Sequence, residues 1–184
     1  SASLEWSDLF LADGGQVLFG NDQEITLTHD ADVGLKLKHT ATADDKPIVL
    51  TLQTGETDMA ANDILGKINF QAPDEGSGTD AILVCAAIEA ISEGTFAADS
   101  NATSLYFKTG ASAAAGTRMI LDSTGDLQFY GDGSSIFFGT DSEIELRHVH
   151  DDGLIIKHVG TGDGKEPSLT FQAGDTDIAA DDVL

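Results

Sequence analysis

The chain has 184 residues, 32 of them acidic and nine basic, for a formal charge of −23, and 41% of its residues are hydrophobic. That charge excludes a nucleic-acid partner, because phosphate contacts require clustered Lys and Arg, and it excludes attraction to anionic membrane surfaces. The apolar content argues against disorder, and no run approaches the roughly 18 apolar residues of a membrane span.

Ser1 to Trp6 lacks the basic start and apolar stretch of a signal peptide. Repulsion among so many carboxylates weakens in salt, so the surface suits a saline habitat.

Residues 1–13 read as the end of a preceding repeat, because the chain repeats itself. The segment Gly20 to Leu65 returns as Gly139 to Leu184 at an ungapped offset of 119 positions (139 − 20), with 24 of 46 pairs identical. Upstream, Phe10, Asp13 and Gly14 match Phe129, Asp132 and Gly133. Such duplication marks structural units laid end to end. The expected organisation is a complete unit over 14–132, comprising the first copy (14–65) and a β-meander module (66–130), then a truncated second copy over 133–184. The natural polypeptide is expected to be longer at one or both ends.

The local patterns are those of strands and turns. Glu24–His29, Gly34–His39 and Lys67–Gln71 alternate polar and apolar residues with period two, which predicts half-buried strands. Further strands are predicted over Ile48–Gln53, Ser104–Lys108, Arg118–Asp122 and Asp126–Tyr130, with Ser123-Thr124-Gly125 as a tight hairpin turn. Asp80–Ser92 fits a helix or a buried strand; the alternation Ile82, Val84, Ala86, Ile88 favours a long strand. Ala60–Leu65 has the composition of one short helical turn.

Comparison of the copies supports this pattern. Leu27, Leu35, Leu50 and Leu65 are kept, Leu37 becomes Ile156, Leu52 becomes Phe171, and Thr26, Thr28 and Lys36 change character. Gly34 and Gly55 recur as Gly153 and Gly174, as expected where a backbone needs positive φ or close approach. The lone Cys85 lies in the apolar run Ala81–Ile88 and is expected to act as a small buried hydrophobe.

Leu65-Gly66-Lys67-Ile68-Asn69-Phe70-Gln71-Ala72-Pro73, followed by the segment from Asp80 to Phe96, resembles the repeat of bacteriophage tail fibres. So do Asn101–Thr109 and Arg118–Leu127. The resemblance covers about residues 65–130, and the duplicated flanks are similar to repeats in fibres of phages from saline waters. In that family the block often precedes a self-cleaving chaperone domain, which these 184 residues do not contain. The resemblance implies an all-β, elongated tandem β-repeat with short strands and Gly/Asp-rich turns, assembled as a parallel homotrimeric fibre on the virion. Implied partners are other tail or baseplate proteins and a host surface receptor of the glycan type. The alternative is a cell-surface or secreted adhesin built from similar modules; a neighbouring gene for a tail protein or for a secretion system would separate the two.

The expected activity is structural, not enzymatic. No Gly-x-Ser-x-Gly elbow, His-Glu-x-x-His or phosphate-cradling loop occurs, and Gly131–Ser135 reads as a turn. Among polar residues the histidines stand out: His29 and His39 recur as His148 and His158, and the second copy adds His150. The recurring pair is expected to cap or hydrogen-bond a neighbouring strand. His148-Val149-His150 on one strand face, repeated three times about an axis, would present six imidazoles suited to a transition metal, whereas the carboxylate clusters invite a calcium reading. The first copy has Ala31 in place of His150. Asp58 and Asp63 recur as Asp177 and Asp182 without the spacing of an EF-hand or β-roll, and are expected to form turns. Trp6, Tyr106 and Tyr130 are too scattered in sequence to form a sugar platform.

Overall fold

The computed structural model describes residues 8–71, 78–162 and 164–170. Alternating apolar side chains and Gly- and Asp-rich turns make these residues all-β, with eleven strands. The first three are β1 (Gln16–Phe19), β2 (Ile25–Asp30) and β3 (Gly34–His39); β4 (Ile64–Gln71) and β5 (Val84–Ser92) follow. The remainder are β6 (Thr103–Thr109), β7 (Gly116–Leu121), β8 (Leu127–Phe129), β9 (Ser135–Phe138), β10 (Ile144–Val149) and β11 (Gly153–His158). They form three meanders, β1-β2-β3, β4 through β8, and β9-β10-β11, and every pairing within the chain is antiparallel. The chain divides into two units, residues 1–52 and 53–184.

The two three-stranded sheets have one register. Val17 pairs Leu27, which pairs Leu37; 119 positions on, Ile136 pairs Leu146, which pairs Ile156. Their turns match as well: Gln23 and Ser142 have φ of 55° and 56°, and Asp32 and Asp151 have 59° and 62°. Gly34 and Gly153 follow those turns at φ 144° and 114°, a region open to glycine because it lacks a Cβ. The same expectation fails at Gly55, whose φ is not positive and which has no atom within 4 Å of an added Cβ; Gly174 lies outside the described residues.

The five-stranded sheet is sorted by face, since directly paired residues project to the same side. Ile68, Ile88, Phe107, Met119 and Phe129 form one continuous cross-strand row, beside Ala90, Leu105, Leu121 and Leu127. On the other face a parallel row runs Lys67, Glu89, Tyr106, Ile120 and Gln128. The row is partly covered: Ile68 and Phe129 at its ends are 45% and 42% exposed and Leu127 beside it 54%, while Ile88, Phe107 and Met119 in its middle are half-buried. Among the described residues the fully buried hydrophobic side chains are Met59, Ala87 and Ile120.

Several sequence expectations change in the structure. Asp80–Ser92 is a strand only from Val84, and within its middle the deepest burial falls on Ala87 and Glu89, the opposite parity to Ile82, Val84, Ala86 and Ile88. The predicted face is the apolar one, and its residues Val84, Ala86 and Ile88 are half-buried. Cys85 is exposed, not buried, because the register slips between Phe70 and Gln71 and leaves it without a partner in β4; its Sγ donates to the Phe70 carbonyl at 3.2 Å. Ala60–Leu65 forms no helix: Ala61 and Asn62 make a turn and Ile64 opens β4. Ile48–Gln53 is not a strand within the chain. The four-residue strands β1 and β9 were too short to predict. The Asp122 to Asp126 hairpin is as expected, with Gly125 N–H donating to the Asp122 carbonyl and Gly125 at φ 91°.

Candidate functional site

Strand β10 ends at Val149, so His148 lies on the strand and His150 in the turn that follows, not on one strand face as the His-x-His spacing suggests. They are linked through a residue that sequence reasoning did not single out. Asp132 stands in the loop between β8 and β9, where Ser134 N–H and Oγ–H both donate to the Gly131 carbonyl. Its Oδ1 lies 3.4 Å from His150 Nδ1 and 4.0 Å from His148 Nδ1, and His150 Nε2 lies 3.4 Å from Asp151 Oδ2. The signal was present in the chain: Asp132 is the offset partner of Asp13, and Asp13 Oδ1 lies 3.5 Å from His29 Nδ1.

The second recurring pair has a backbone role. Nδ1 of His39 accepts from the Ala41 N–H at 3.2 Å, and Nδ1 of His158 from the Gly160 N–H at 3.0 Å. An accepting Nδ1 carries no proton, so each ring's N–H is at Nε2. These imidazoles close the chain's exit from β3 and β11.

Around His148 the loop and sheet enclose a cleft of about 360 Å³ lined by Gln128, Phe129, Tyr130, Gly131, Asp132 and His148. A smaller hollow of about 130 Å³, lined by Phe129, Ser134, Ser135, Ile136, Leu146, His148 and Leu154, adjoins it. The chemistry available is acid–base pairing and hydrogen bonding beside an aromatic wall. Among the described residues no three His, Cys, Asp or Glu side chains are grouped so as to hold a metal ion. Within a single chain, Nδ1 of His148 and Nδ1 of His150 both approach one carboxylate oxygen, Asp132 Oδ1.

A second polar cluster organises the end of the five-stranded sheet. Glu93 Oε1 accepts from Ser104 Oγ at 2.6 Å and from Ser123 N–H at 2.7 Å, and Glu93 Oε2 accepts from Ser123 Oγ. Those hydroxyl and amide donors hold its carboxyl below the ordinary value of 4.5. Asp122 is likewise held below 3.8, first by the Thr124 hydroxyl and then by backbone N–H groups, foremost that of Asp126. Asp22 is lowered mainly by its hydrogen bond with Glu24. Asp63, one of the residues weighed for calcium, accepts the Ala60 N–H at 2.6 Å and so shapes a turn; Asp177 and Asp182 lie outside the described residues. Tyr106 lies in β6 and Tyr130 in the loop that follows β8, and Trp6 is outside the described residues. No helix among the described residues is long and apolar enough to cross a membrane. No protein-family model, curated protein or solved structure matches this chain.

Proposed function

We propose that this chain is a shaft segment of a phage tail fibre, a structural virion protein that works as a parallel homotrimer and serves host attachment. The observation that carries the reading is the apolar row Ile68, Ile88, Phe107, Met119, Phe129, which the chain leaves half-covered and open at both ends. A sheet with one such face exposed is unstable in water until another layer covers it, and at about 25 cal/mol per Å² the hydrophobic gain from covering it is large. Identical chains repeated about an axis provide that layer without a second gene product. Two meanders of the same register, 119 positions apart, fit stacking along such an axis. The acidic exterior keeps the assemblies apart from one another.

In such a trimer His148 and His150 are the candidate metal ligands, three pairs about one axis, with Asp132 competing for both imidazoles. Elemental analysis of the assembled protein is expected to find one iron, zinc or nickel per three chains if the histidines turn toward the axis, and none if Asp132 retains them. Sedimentation equilibrium of the purified chain tests the main reading. A mass of three chains is expected, and a stable monomer overturns it. Electron microscopy of particles labelled with an antibody to the chain then distinguishes a tail location from a cell-surface one.

A further inference from the structure

Residues 46–53, Lys-Pro-Ile-Val-Leu-Thr-Leu-Gln, carry a strand pattern and have no strand to pair with. Ile48, Leu50 and Leu52 alternate with Val49, Thr51 and Gln53, a composition of high β propensity. Yet none of residues 41–58 makes a backbone–backbone hydrogen bond among the described residues, and Ile48, Val49, Leu50 and Leu52 are 43%, 69%, 70% and 48% exposed. The second copy does the same: Pro167 to Thr170 pairs with no strand among the described residues, and Leu169, the counterpart of Leu50, is 65% exposed. One accident would be unremarkable, but two at the same offset indicate a built feature.

The copies also show which side matters. Leu50 and Thr51 are kept as Leu169 and Thr170 and Leu52 becomes Phe171, whereas Val49 becomes Ser168 and Ile48 becomes Pro167. On the face of Ile48, Leu50 and Leu52 the second copy has Pro167, Leu169 and Phe171, all apolar, whereas the opposite face loses its one apolar residue, Val49, to Ser168. Proline is tolerated at the first position of a strand, where its missing N–H is least felt. No acid occurs from Lys46 to Gly55, so in a chain of charge −23 this is a stretch along which like chains approach without carboxylate repulsion.

We infer that residues 48–53, and their counterparts Pro167–Thr170, are strands completed by a second copy of this chain, which buries Leu50 and Leu52 and pairs their backbone. An unpaired, apolar, extended segment is a template for strand addition. The inference rests on the self-assembly reading above and adds the element that joins the copies.

Hydrogen exchange read by mass spectrometry, on the full chain at concentrations where sedimentation shows assembly, tests it. Amides of 48–53 are expected to exchange slowly in the assembled protein and at free-chain rates on dilution to monomer. The double variant Leu50→Asp/Leu169→Asp is expected to weaken assembly roughly tenfold or more with unchanged circular dichroism of the diluted chain, because neither side chain is packed within one chain. Val49→Ser, which copies the residue at 168, is expected to change assembly less than about twofold. Assembly with fast exchange at 48–53, or undiminished assembly of the double variant, overturns this inference and leaves the fibre reading standing. A monomeric wild-type chain overturns both. Slow exchange that persists in the monomer places the partner strand within the same chain and also overturns it.

Discussion

Glu93 grips Ser123 with both carboxylate oxygens, one on the backbone N–H at 2.7 Å and one on the hydroxyl, across thirty positions of chain. It thereby ties the exit of β5 to the β7–β8 hairpin, which Asp122 itself closes by accepting from the Thr124 and Asp126 N–H groups at 2.9 Å each.

Both carboxyls are held below their ordinary values of 4.5 and 3.8, so their contribution to stability is full above those values and is lost as pH falls through the lower folded-state values. The melting temperature is expected to be level from neutral pH down to about 5 and to fall below about 4.5. Glu93→Gln should lower the neutral plateau and flatten the acid limb. Circular dichroism melts across pH check both, and an acid limb unchanged in the variant would remove Glu93 as its source.

Lys108 and Glu89 form an ion pair in the middle of the sheet's polar face, with side chains 21% and 9% exposed. Cutting one partner strands the other charge, so Glu89→Gln and Lys108→Met are each expected to cost about 2–3 kcal/mol, less than a wholly buried pair because the lysine reaches water. The double variant should lose less than the sum of the two. Urea denaturation of the four proteins closes the cycle.

Ser92 is the most buried side chain described, at 2% exposure. Its hydroxyl donates to the Ala60 carbonyl and accepts from the Asp63 N–H at 3.0 Å, fastening the 60–63 turn to the end of β5. Ser92→Ala leaves the Asp63 N–H and the Ala60 carbonyl only their own 3.3 Å bond to each other and is expected to cost about 1–2 kcal/mol. Faster amide exchange at Asn62 and Asp63 would be its local signature.

A charge of −23 makes the folded protein sensitive to screening. Between about 0.1 M and 1 M salt the screening length contracts from about 10 Å to about 3 Å, and the melting temperature is expected to rise with it. Sodium chloride, not sulfate, is the salt to use, since sulfate also strengthens apolar burial. A flat response would mean that the carboxylates are already too far apart to repel.

Period-two alternation was enough to place β2, β3 and most of β4, and β propensity with turn residues placed β6, β7 and β8 and the Gly125 hairpin, because each pattern and each turn is written in adjacent residues. The duplication likewise foretold that Leu27 and Leu146 stand at equivalent places, since equal sequences at equal spacing fold alike. Local pattern does not contain the pairing between distant strands, and that decided the rest. Only the register of β4 through β8 aligns Ile68, Ile88, Phe107, Met119 and Phe129 on one face and exposes Cys85 at a slip, and only the fold shows that Ile48–Gln53, for all its strand character, pairs with no strand among the described residues. Only the fold of the 130–134 loop brings Asp132 to His148 and His150, because a contact across sixteen or more positions depends on how the backbone returns and not on the residues that happen to be adjacent.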